Sequence, residues 1–136
     1  MTQSLRIDVR HHNHRHFRAG ISLDFALLGT ARPELDIDVH AACGYGQDLS
    51  PAVRQVLRSE IIAGIQMALR KAEQPGWQVV LRHFTAEPSI LEVPSAGFAV
   101  AATLATLHVT GQEDLEEHPR GGFDWDLEGF QVLPSA

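Results

Sequence analysis

Val93-Pro94-Ser95-Ala96-Gly97 leads into the apolar, alanine-rich run 98–109, which stops at Thr110-Gly111. This stretch predicts a helix over 95–109 with Ser95 at its mouth and Gly111 closing it. A Ser hydroxyl there has two readings. It caps the helix, a role that contributes about 1 kcal/mol, or it is a nucleophile beside free backbone N–H groups. The second reading needs a base within hydrogen-bond reach. The single Lys of the sequence, Lys71, lies upstream, and no Lys follows Ser95. His83 and His108 are the remaining candidate bases, and His108 falls near the far end of the same helix. The cap is the reading adopted for Ser95.

Upstream of that helix the pattern is mostly period two. Leu5, Ile7 and Val9 alternate with Arg6, Asp8 and Arg10, the mark of a half-buried strand. Ile21, Leu23, Phe25 and Leu27 predict a second strand, with 29–33 as a turn. Leu35, Ile37 and Val39 predict a third, so the first three strands are expected to form an antiparallel meander. Ser50-Pro51 then opens a helix, with a hydroxyl cap and Pro at the first helical position. Val53, Leu57, Ile61, Ile65 and Leu69 recur every four residues, widened by Val56 and Ala68, and Gln74-Pro75-Gly76 ends the helix. Ala63 and Gly64 within it allow close approach of another backbone. Residues 77–84 predict a fourth strand. Phe123, Trp125 and Leu127 alternate with acidic residues in a last one, extending towards Val132. The order β-β-β-α-β-α-β predicts an α+β, two-layer sandwich: a mostly antiparallel sheet with both helices on one face, as one domain over 1–136.

Composition narrows the function. The single Cys43 excludes an internal disulfide and fits a reducing, cytoplasmic setting. No apolar run is long enough to span a bilayer, and residues 1–10 have no apolar core of a signal peptide. The net charge of −6 argues against generic nucleic-acid binding. That charge is uneven. Residues 1–20 hold Arg6, Arg10, Arg15 and Arg18 against Asp8, a balance of +3. Residues 112–128 hold seven carboxylates against Arg120, a balance of −6. The plain expectation is that the two ends meet in the fold and neutralise each other.

The element order, with Val-Pro-Ser-Ala-Gly at the second helix, resembles the proteolytic domain of Lon proteases. Pro94-Ser95-Ala96-Gly97, Thr110-Gly111 and the strand Leu127–Pro134 carry the likeness, the strand with one extra residue. It covers roughly residues 17–134. Two departures stand out. Glu92-Val93 replace the Asp-Gly that precedes Pro-Ser in that family, and the family's catalytic Lys, shortly after the Leu-Pro strand, has no counterpart before Ala136. The resemblance implies the fold without the Ser–Lys dyad. Gly76-Trp77-Gln78-Val79 is similar to a segment of elongation factor G domain IV and of the tetracycline-resistance ribosomal protection proteins, and the Lon-like domain of magnesium-chelatase-related proteins shares the same shape. The loop that faces the ribosome in domain IV corresponds to 44–49 here, which carries Asp48 and no Lys or Arg.

A second candidate site is the run 10–16. In an extended strand His12, His14 and His16 project to one face, a set able to bind zinc with an open fourth position, to which Asp24 or His40 adds a ligand. Arg10, Arg15 and Arg18 among them form a candidate anion-binding patch. The plain alternative is a solvated, pH-responsive loop. Together these readings favour a non-enzymatic binding or assembly module that needs no cofactor, with a protein partner or a second copy of itself. A hydrolase using Ser95 or a His-bound metal is the first alternative. A ribosome- or nucleic-acid-associated factor is the second.

Overall fold

The computed structural model describes residues 2–11, 18–39, 50–86, 97–113 and 125–133, and among them are five strands and two helices. They are β1 (Thr2–His11), β2 (Arg18–Thr30), β3 (Glu34–Asp36), α1 (Pro51–Leu69), β4 (Gly76–Ala86), α2 (Gly97–Val109) and β5 (Trp125–Leu133). The order is β-β-β-α-β-α-β and the class α+β, with one open mixed sheet in the order β3-β4-β2-β1-β5. Three of its pairings are antiparallel, and β3 runs parallel to β4.

The last pairing corrects the expected meander. β3 does not neighbour β2, because β4 lies between them. A parallel pair needs a crossover of a dozen or more residues, usually a helix. α1 stands between β3 and β4 in the chain and fits that need. The ladder of β3 is also short: Ile37 and Val39 are buried beyond its end. Residues 40–49 lie outside the described residues.

Period two explains the sheet. Leu5, Ile7 and Val9 on β1 and Ile21, Leu23 and Phe25 on β2 are buried on one face, with Val79, Leu81 and Phe84 beside them on β4. A shift of register between Ser22 and Leu23 keeps the apolar positions of β4 on that face. Both helices join the same core through Leu57, Ile61, Ile65 and Leu69 of α1 and Phe98, Ala101, Leu104 and Ala105 of α2. Phe84 and Phe98 meet edge to face, ring centres 6.0 Å apart. Val56, expected to widen the stripe of α1, is exposed instead.

α1 starts as its sequence predicts: the Ser50 hydroxyl accepts from the Val53 N–H at 3.2 Å, with Pro51 in the first turn. α2 is buried over most of its circumference because it packs against both α1 and the sheet, and its small residues permit that. Ala99 carries a backbone oxygen that a Cβ on Gly64 would strike. Thr103 Oγ1 donates to that oxygen at 2.7 Å and lies 3.2 Å from Gly64 O.

Candidate interaction surface

With both helices packed on the apolar face, the other face of the sheet carries the polar half of each alternating strand. Register sets Arg6 beside Ser22, and Ser22 beside His83. It likewise sets Asp8 beside Gly20, and Gly20 beside Thr85. Three strands therefore deliver one array. Arg6 grips Asp8 two residues along its own strand, through Nη2 to Oδ1 at 2.9 Å and Nε to Oδ2 at 3.2 Å. Its Nη2 also donates to Thr85 Oγ1 at 2.8 Å, and Nη1 lies 3.4 Å from His83 Nδ1. A guanidinium only donates, so Nδ1 is the accepting nitrogen of that imidazole.

Glycine at position 20 makes the array fit. A Cβ there would run into the Asp8 carboxylate and stand 2.8 Å from both Arg6 Nη2 and Thr85 Oγ1. The planar guanidinium lies over this bare backbone. Beside it, Ser4 donates to Asp24 Oδ1 at 2.6 Å, and Arg82 approaches the same oxygen at 3.8 Å. Ser4 and Ser22 are buried although they belong to the polar face. At the other end Glu128 of β5 forms ion pairs with Arg10 and Arg18, at 3.3 and 3.6 Å. Among the described residues, Arg10 and Arg18 of the basic start thus meet Glu128 of the acidic end, because β1 pairs with β5. The face is a lattice of alternating charges.

The sequence-derived candidates fall in different places. Arg10 and Arg18 share one carboxylate, which balances much of the charge an anion would meet. Arg15, His12, His14, His16, His40 and Ser95 lie outside the described residues. Asp24, the other ligand considered for zinc, bonds Ser4 instead. Among the described residues no group of three or more His, Cys, Asp or Glu stands close enough to hold a metal ion. His83 belongs to the polar face, whereas His108 lies against Phe130, ring centres 4.7 Å apart. The two are not brought together.

Lys71 follows the end of α1 and lines a cleft of about 390 Å³ with Trp77, Thr110 and Gln112. α1 and α2 run side by side in the same direction: Glu60 meets Phe98 and Ala99, and Ala68 O accepts from Gln112 Nε2 at 2.9 Å. Leu69, the last residue of α1, is thus nine residues beyond Glu60, about 14 Å along the axis from the start of α2, and Lys71 lies past it.

Glu60 is the residue that sequence reasoning missed. α2 begins at Gly97, and the N–H groups of Phe98 and Ala99 in its first turn donate to the Glu60 carboxylate. A side chain from the neighbouring helix thereby satisfies donors that an α-helix leaves free at its N-terminus. Burial raises the Glu60 pKa above the ordinary carboxylate value, and those two N–H bonds only partly offset it. Its Oε1 is buried with no hydrogen-bond partner. Glu60 breaks no pattern in the sequence, so nothing there marks it. The array was legible in part, since Arg6, Asp8 and Arg10 occupy the polar phase of a strand; its convergence with Thr85 and His83 depends on β4 lying next to β2.

Comparison of the chain with protein families, with curated proteins and with solved structures finds no match in any of the three.

Proposed function

We propose that this chain is a non-enzymatic binding or assembly module on a Lon-like fold without the Ser–Lys dyad, and that it takes a protein partner on the open face of its sheet. The observation that carries the reading is the Arg6–Asp8–Thr85–His83 array seated over Gly20. Its side chains stand on three hydrogen-bonded strands and are fixed by one another. A partner meeting them therefore loses little side-chain freedom at that point, which favours affinity. The alternation of Arg6, Arg82, Asp8 and Asp24 suits a protein surface of mixed charge and gives orientation. A polyanion calls for concentrated positive charge instead. The distance of Lys71 from the start of α2 supports the reading that no Ser–Lys pair operates.

The test uses the full chain as bait in an extract of its own source cells. Wild-type protein is expected to retain one protein at fixed stoichiometry, and the double variant Arg6→Ala/Arg82→Ala to lose it while keeping its unfolding midpoint. Covalent labelling of Ser95 by a fluorophosphonate, or turnover abolished by Ser95→Ala, would replace this reading with a hydrolase. Nuclease-sensitive RNA in the eluate would point to the nucleic-acid-associated alternative.

A further inference from the structure

Within the described residues β5 is an edge strand. Among the described residues it is hydrogen-bonded to β1 on one side only, and at nine residues it is much longer than β3 on the opposite edge. Soluble proteins usually guard such an edge with charge, Pro or a bulge. Here the irregularity falls in the first half of the strand, opposite Asp8 and Val9. The second half, Gly129-Phe130-Gln131-Val132-Leu133, holds no charge. The carboxylate that borders it, Glu128, is tied to Arg10 and Arg18. Phe130 pairs with Ile7 and Val132 with Leu5, so both belong to the helix side of the sheet, yet Val132 is 55% exposed. An apolar row thus runs to the lip of the sheet and continues into solvent.

We infer that this half of β5 pairs antiparallel with the same strand of a second copy, joining two sheets into one; the inference goes beyond the face-binding reading above and concerns a second surface. The strand's own sequence favours one register. A two-fold axis at Gln131 sets Phe130 opposite Val132 of the other copy, twice over, and Gly129 opposite Leu133, with Asp126 and Glu128 outside the paired segment. An axis at Gly129 would instead set Glu128 against Phe130 and Asp126 against Val132. An axis at Glu128 would put two carboxylates face to face, which is destabilising. Only the uncharged half complements itself. The pairing is isologous, so it closes as a dimer and does not grow into a fibre.

Sedimentation velocity over a concentration series tests this on the full chain. The expected result is a monomer–dimer equilibrium obeying mass action. Val132→Lys, at an exposed position, should weaken the dimer by about tenfold or more at an unchanged unfolding midpoint. Gly129→Lys and Leu133→Glu should each weaken it, and the two together, which set opposite charges across the axis, should recover much of the loss. A Cβ at position 129 meets nothing closer than Asp8 Oδ2 at 3.8 Å, so that variant has room to fold. A monomer at every concentration, a dimer indifferent to Val132→Lys, or protection from exchange in the monomer of those amides of 129–133 that point away from β1 would overturn the inference. Absence of rescue in the double variant would overturn the register. Capture of a partner on the open face is lost with Arg6→Ala/Arg82→Ala and not with Val132→Lys, so the two proposals fail separately.

Discussion

Glu60 shows how much one side chain settles at a helix junction. Its carboxylate satisfies N–H groups of Phe98 and Ala99 that α2 cannot satisfy itself, but burial penalises the charge it carries there. Two substitutions separate these effects. Glu60→Ala leaves the N–H groups without their acceptor and should cost about 1 kcal/mol, the usual worth of a cap. Glu60→Gln keeps a carbonyl acceptor and removes the charge, so at neutral pH it should be neutral or stabilising. The pH dependence follows from the direction of the shift. Because the folded pKa is raised, the folded state holds the proton more tightly than the unfolded chain does. The stabilisation this brings is complete below the ordinary carboxylate pKa and is lost as pH rises through the raised value. Any advantage of Glu60→Gln should therefore shrink on acidification, as urea denaturation at a series of pH values would show. A constant gap would mean that the charge of Glu60 is not what burial penalises.

Between elements, the contact of α1 with α2 depends on one missing side chain. The sequence offers Ala63 and Gly64 as places of close approach, and the fold uses Gly64, which is buried, while Ala63 is exposed. Helix propensity alone makes Gly64→Ala stabilising by up to about 1 kcal/mol. The new Cβ would meet a backbone oxygen of Ala99, stand 3.0 Å from Thr103 Oγ1 and 3.1 Å from the Ala102 Cβ. Backbone cannot rotate aside, so overpacking of about 1–3 kcal/mol should outweigh the propensity gain. Gly64→Ala is expected to lower the unfolding midpoint, and a higher midpoint would show that the helices part at little cost. Legibility at this scale tracked locality. The Ser50-Pro51 start and the alternations of β1 and β2 concern neighbours in sequence and are legible there. The partner of β3 was not, because Leu35, Ile37 and Val39 alternate in the same way whichever strand lies beside them.

At the scale of the whole molecule, one apolar core links both layers. Which residues enter it followed from periodicity, since one polar and one apolar face per strand leave the helices a single place to pack. The encounter of Arg10 and Arg18 with Glu128 followed from charge balance. The Arg6 array and the Glu60 contact needed the three-dimensional neighbourhood, because each joins residues far apart in sequence whose separate positions look ordinary. The shared core makes a global prediction. Trp125 is buried in it on the edge strand, against Gly97 of α2, while Trp77 packs on it from β4 and meets Phe25 edge to face. These are the two tryptophans of the chain, and β2 and β1 separate their strands in the sheet. If layers and edges are stabilised together, fluorescence of Trp77 in a Trp125→Phe background and of Trp125 in a Trp77→Phe background should each coincide with loss of secondary structure in the same variant. The midpoints of the two variants need not agree, since the substitutions weaken different places. Within each variant the probes should agree. Earlier release of Trp125 would mean that β5 opens as a separate unit, and the domain would then be a four-stranded body with a detachable edge.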